Sequence, residues 1–258
     1  MNLFTLVICA LAGYFIGALS SARLVSRIVA PGRPVPDETV LRLEGTDKTM
    51  TLGTVSASSV SIQHGSRAGF LTYVLDVVKV AVPVAVAWRL WPEWPYYLVV
   101  SVAEFIGHVW PVYYRFRGGR GLSAIYGSLL VIDWVGMLVT AIGGMMFGLV
   151  VARSVIVAYM AGVWFLLPWL WFRTHRAAYA IYAGVLIVLF TIAIWPEIRE
   201  WRRIARDGTW SDPAAVMQLS GMGRGMFKLA RRLGVVKDRA SRAAAQPREP
   251  GDGGRATP

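Results

Sequence analysis

Hydrophobic and polar positions alternate along this chain in long blocks. Residues 1–22 carry no charge, enough to cross about 30 Å of hydrocarbon at about 1.5 Å per residue. Further apolar blocks run over 69–88, 96–114, 155–172 and 177–195, and 122–151 holds one charge, Asp133, in 30 residues. That last block is too long for one helix and divides near Asp133 into a short fourth span and a fifth. The pattern predicts an all-α, polytopic integral membrane protein with seven transmembrane helices. Residues 31–68 read as a long loop punctuated by Pro31, Gly32, Pro34 and Pro36. The expected organisation is a seven-span domain over 1–210, a possible amphipathic surface segment over 211–236, and a disordered basic tail over 237–258.

Composition agrees, with 55% hydrophobic residues and a mean hydropathy of +0.50. The first charges, Arg23 and Arg27, follow the first apolar block, which places the N-terminus outside and the C-terminus in the cytoplasm. On that topology 23 of the 27 Lys and Arg residues fall on the inside, three fall outside, and Lys79 lies within a span. The net charge of +12 is thereby explained by positive-inside loops and a basic tail near anionic lipid, with no need for nucleic acid. Cys9, the single cysteine, excludes an intrachain disulfide and a thiolate metal site. No GxxxxGK[ST], GxSxG or HExxH motif is present.

Ionisable residues inside spans are costly and need a reason. Asp76 and Lys79 are three apart and Glu104 and His108 four apart, so each pair shares a helical face. The first pair reads either as an ion pair locking helices or as the lining of a polar substrate cavity. His108 reads as a donor to a ligand, an orienter of the next loop, or packing. The histidines do not complete a metal set, so no metal is expected and no cofactor is implied.

The stretch 107–121, GHVWPVYYRFRGGRG, follows a span directly. Arg115, Arg117 and Arg120 are permanent cations, and Gly118, Gly119 and Gly121 let backbone approach an oxyanion without a Cβ in the way, so a phosphate or carboxylate is expected here.

This stretch resembles the GHxFPxxxxFKGGKG block of the bacterial membrane glycerol-3-phosphate acyltransferases that use acyl phosphate as donor. Gly107, His108, Pro111, Phe116, Gly118, Gly119 and Gly121 match, and Arg117 and Arg120 stand at lysine positions. LTYVLDVVK, ending at Lys79, is similar to the family's LLxxLDxxKG. The family's first loop, near GSGNxGATNxxR, is altered to TLGTVSASSVSI over 51–62. Gly53 and Ala57 remain, whereas Leu52, Thr54, Ser56, Ser59 and Ile62 replace serine, asparagine, glycine, asparagine and arginine. In the third motif, near HRxNIxRLxxGTE, Arg199, Gly208 and Thr209 match, while Ile198, Trp201 and Trp210 do not.

The resemblance implies acyl transfer from acyl phosphate to glycerol 3-phosphate in phospholipid biosynthesis, on the cytoplasmic face of the bacterial inner membrane, with the acyl chain arriving from membrane lipids. It implies Lys79, His108 and Arg120 as catalytic residues. Phosphate binding falls to Arg115, Arg117, Gly118, Gly119, Arg120 and Gly121, and a donor loop to Lys48, Gly53, Thr54, Ser56 and Ser59. The altered motifs leave open a non-catalytic paralogue that binds anionic lipid or acyl phosphate, and a small transporter of anionic lipid.

Overall fold

The computed structural model describes residues 2–42, 49–152 and 155–206, together with positions 225, 228, 229 and 232. Lys48, the third-motif residues from 208 onward and nearly all of the surface segment and tail lie outside the described residues. Helix α1 (Leu3–Gly17) starts on the Asn2 side chain, which accepts the Phe4 N–H. It stops at Ala18, and α2 (Ser21–Val29) restarts on the Ser20 hydroxyl. The first span is therefore broken near its end, and the backbone carbonyls of Gly17 and Leu19 are released from helical bonding.

Where a continuous loop was expected, a hairpin forms between β1 (Thr39–Arg42) and β2 (Thr49–Leu52), pairing Thr39 with Leu52 and Arg42 with Thr49. The fold is thus mostly helical rather than wholly so. The short helix α3 (Ala57–His64) follows, then α4 (Ser66–Leu90) and α5 (Tyr96–Val109). The long apolar block divides at Asp133 into α6 (Leu122–Ile132) and α7 (Trp134–Met146). Asp133 caps α7 through Gly136 N–H at 3.0 Å and accepts the Trp169 indole N–H at 2.9 Å. Next come α8 (Val155–Trp164) and α9 (Leu166–Thr174), a break at Phe165 dividing what the sequence reads as one span, and α10 (Ala177–Arg206).

Among the described residues, four helical stretches are long and apolar enough to cross a membrane: Leu3–Val29, Ser66–Leu90, Trp134–Val151 and Ala177–Glu200. Their outward residues, such as Phe4, Phe70, Val82 and Ile181, are large, apolar and exposed, as expected when the solvent is lipid.

Helices α1 and α5 lie backbone to backbone. A Cβ on Gly13 would come within 2.7 Å of the Val100 carbonyl, one on Gly17 would collide with the main chain of Glu104, and one on Gly107 with that of Tyr14. Small residues four apart allow this approach between membrane helices. Its consequence is positional: the broken end of α1 is pressed against the end of α5, where His108 stands.

Candidate functional site

The site grows from the end of α5. Pro111 cannot continue the helix, and the chain turns through a short 3-10 segment, Val112–Tyr114. Arg115 and Phe116 then adopt left-handed backbone at φ 53° and 61°. Non-glycine residues pay for that conformation, and this turn is held by Phe116 N–H donating to the Pro111 carbonyl at 3.0 Å and Arg117 N–H to that of Tyr114 at 3.0 Å. The chain returns over its own helix: Gly119 N–H donates to the His108 carbonyl at 3.0 Å.

Both glycines at the return are buried for steric reasons. A Cβ on Gly118 would strike the His108 carbonyl, and one on Gly119 the His108 ring. Gly121, at φ 90°, packs against the Phe105 ring and opens α6. The Gly119 amide is spent within the protein, so the glycines serve close packing of the loop on His108.

Lys79 meets this ring from the other side. Its ammonium donates to the Leu19 carbonyl at 2.7 Å, the Gly17 carbonyl at 3.2 Å and Asp76 Oδ1 at 3.2 Å, and lies 3.3 Å from His108 Nδ1. The Asp76 and Lys79 pair foreseen on one helical face is therefore formed, and it also binds the broken end of α1. The His108 ring thus has its Nδ1 edge toward Lys79 and its Nε2 edge toward Gly119. Ser123 donates to Asp76 Oδ2 at 3.5 Å. Glu104, one turn before His108, is fully buried, and neither carboxylate oxygen has a hydrogen-bond partner among the described residues.

A small crevice opens over this cluster, lined by His108, Gly118, Gly119, Asp76, Val55 and the residues of the α1 break. Val55 N–H donates to the Gly118 carbonyl at 2.9 Å, so the altered first-motif segment lies directly on the arginine and glycine loop. Within that segment Ser59 Oγ donates to the Thr54 carbonyl at 2.7 Å, and Ser56 Oγ lies 3.4 Å from Ser59 Oγ. Gly53 is exposed and touches nothing that a Cβ would meet.

The arginines divide. Arg120 is largely buried and donates through Nε to Glu197 Oε1 at 2.7 Å. Thr54 Oγ1 donates to the same oxygen at 3.3 Å. Arg115 and Arg117 stay on the exposed rim, Arg117 paired with Glu38 at 3.0 Å.

Two contributors were missed in the sequence. Arg23, noted only as a topology marker, is nearly buried; it donates to Asp37 at 2.6 Å and to the Arg117 carbonyl at 3.1 Å, and lies 4.2 Å over the Tyr114 ring. Glu197 belongs to none of the motifs or pairs read in the sequence. Its signal was a carboxylate beside Pro196 at the basic end of the last apolar block.

Residues 39–207 match the family model described as glycerol-3-phosphate acyltransferase. The chain is 30% identical over 180 residues to a glycerol-3-phosphate acyltransferase of Methylococcus capsulatus, covering 68% of this chain and 83% of that protein. Similar proteins from Enterobacter sp. and Thioalkalivibrio sulfidiphilus, both glycerol-3-phosphate acyltransferases, are 35% and 36% identical over 122 and 128 residues. Those matches cover 47% and 49% of this chain, and the aligned stretches span 53% and 57% of the two relatives. The fold is similar to the crystal structure of PlsY (YgiH), an integral membrane glycerol 3-phosphate acyltransferase, in its glycerol 3-phosphate form. The TM-score is 0.63 at 17% identity, covering 77% of this chain and 92% of that one.

Proposed function

Because the chain belongs to the glycerol-3-phosphate acyltransferase family, we propose that it transfers an acyl group from acyl phosphate to the 1-hydroxyl of glycerol 3-phosphate, yielding lysophosphatidic acid and inorganic phosphate. The observation that carries this reading is the crevice in which His108, Gly118 and Gly119 face Val55, with Arg120, the next residue of the loop, paired to Glu197.

Acyl phosphate is already activated, so the protein's task is to hold two anions and align one hydroxyl. The acceptor oxygen attacks the acyl carbon, forming a C–O bond. The bond from that carbon to the phosphate oxygen breaks, the phosphate leaves with the electron pair, and the hydroxyl proton ends on it. His108, which lines the crevice with its Nδ1 edge facing Lys79, acts as a donor through Nε2. Lys79 fixes the ring and adds positive charge, while Arg120 binds the phosphate oxygens. Arg115 and Arg117, on the rim, steer anions toward the crevice. Thr54, Ser56 and Ser59 brace the facing wall.

The proposed setting is a bacterial plasma membrane, with seven spans, the N-terminus outside and the site on the cytoplasmic face. The bias of Lys and Arg toward that side supports it. The acyl chain reaches the crevice from the surrounding lipid.

The test is phosphate release from palmitoyl phosphate by the purified protein in lipid, with and without glycerol 3-phosphate. Release that requires glycerol 3-phosphate, and that falls about 100-fold in Arg120→Ala, is expected for loss of a charged group that stabilises the transition state. No acceptor-dependent release would overturn the assignment in favour of a binding protein for anionic lipid.

A further inference from the structure

The buried face of α10 is apolar nearly throughout. Ala183, Leu186, Phe190 and Ile194 follow one another at helical spacing and are fully buried. The next position on that face is Glu197, 7% exposed. A carboxylate therefore stands where the stripe calls for an apolar side chain. Burying it costs free energy unless it is paired and hydrogen-bonded.

Its partners explain the placement. Oε1 takes the Arg120 Nε–H at 2.7 Å and the Thr54 hydroxyl at 3.3 Å, so one oxygen joins the arginine and glycine loop, the altered first-motif segment and α10. The other arginine contacts of this region differ in kind, while the Lys79 and Asp76 pair is similarly buried. Arg117 and Glu38 are both about half exposed, and Asp37, the partner of Arg23, is 53% exposed. In the Arg120 pair the side chains are only 13% and 8% exposed. Such a pair holds its geometry with little competition from water.

We propose that Glu197 is a positioning residue for the transfer reaction: it holds Arg120 and Thr54 as one unit, so that an entering phosphate meets an arginine already oriented. The inference rests on the acyltransferase reading for its kinetic arm and on phosphate binding alone for its other arm. Glu197 touches Arg120 by its Nε edge, and phosphate is recognised by the guanidinium fork.

Three variants of the full chain, purified in lipid nanodiscs, test it: Glu197→Leu, Glu197→Gln and Arg120→Ala. Glu197→Leu leaves Arg120 a largely buried charge without its carboxylate, so its thermal midpoint is expected to fall, while circular dichroism is expected to show it still folded at the assay temperature. Its kcat/KM for glycerol 3-phosphate is nevertheless expected to fall about 100-fold, the scale of a misplaced reacting group. Glu197→Gln keeps an oxygen acceptor for Nε and Thr54 and is expected to retain kcat/KM within about threefold. Calorimetric binding of inorganic phosphate is expected to weaken about tenfold in Glu197→Leu, the cost of losing preorganisation, and to change little in Glu197→Gln.

A folded Glu197→Leu protein with unchanged phosphate affinity overturns the proposal, as does Glu197→Gln behaving like Arg120→Ala. If the unaltered protein binds phosphate without turning over, the acyltransferase reading fails, and the binding data still decide the role of Glu197.

Discussion

The crevice has two walls that are built by different means. The loop over 115–121 is fixed by main-chain bonds and by glycines pressed against the His108 carbonyl and ring. The segment over 53–59 is fixed by hydroxyls: Ser59 to the Thr54 carbonyl, Ser56 near Ser59, Thr54 to Glu197. Steric closeness allows one residue type at a position, whereas a hydroxyl bond can be made by several. The first wall matches the motif it resembles nearly residue by residue, and the second differs from its counterpart at most positions while still lying directly on the first.

The largest effect that would sharpen this contrast belongs to Gly119→Ala. Its Cβ collides with the His108 ring, which Lys79 holds from behind, so neither can withdraw cheaply. Phosphate release is expected to drop more than about 100-fold with the helical content retained, since small displacements at a reacting site cost that much. Ser59→Ala removes the hydroxyl that braces Thr54 at 2.7 Å. A loss of about 1 kcal/mol in stability by thermal or denaturant unfolding is expected, with a several-fold fall in kcat/KM. If this variant proved as damaging as Gly119→Ala, the two walls would not differ as described. Arg117→Ala breaks an ion pair exposed on both sides and should be the mildest. A two- to threefold rise in KM, vanishing at high salt, is the expected scale of a surface charge.

The apolar blocks made the helices and the division at Asp133 legible, because a charge between two apolar runs is an unambiguous interruption. The hairpin over 39–52 was not legible: short strands among prolines and hydroxyl residues carry no strong period. The breaks at Ala18 and Phe165 were likewise invisible, as both fall inside uniformly apolar or small sequence and are set by what packs against them. At the site, His108, Lys79 and Arg120 stood out as ionisable groups in or beside spans. Their partnerships did not. That Lys79 donates to the carbonyls of Gly17 and Leu19 depends on the α1 break, and that Arg120 is paired with Glu197 depends on contact across 77 positions. Arg115 and Arg117 read like Arg120 in the sequence, but the left-handed turn at 115–116 leaves them on the rim.

The Glu197 contact with Arg120 also sets a clock. During synthesis at about 5–20 residues per second, the ribosome needs roughly 4–15 s to travel the distance between them. For that interval Arg120 lacks the carboxylate it pairs with in the finished fold. The newborn protein thus acquires the loop and His108 early and this ion pair late, only when α10 has been made and has brought Glu197 to the arginine.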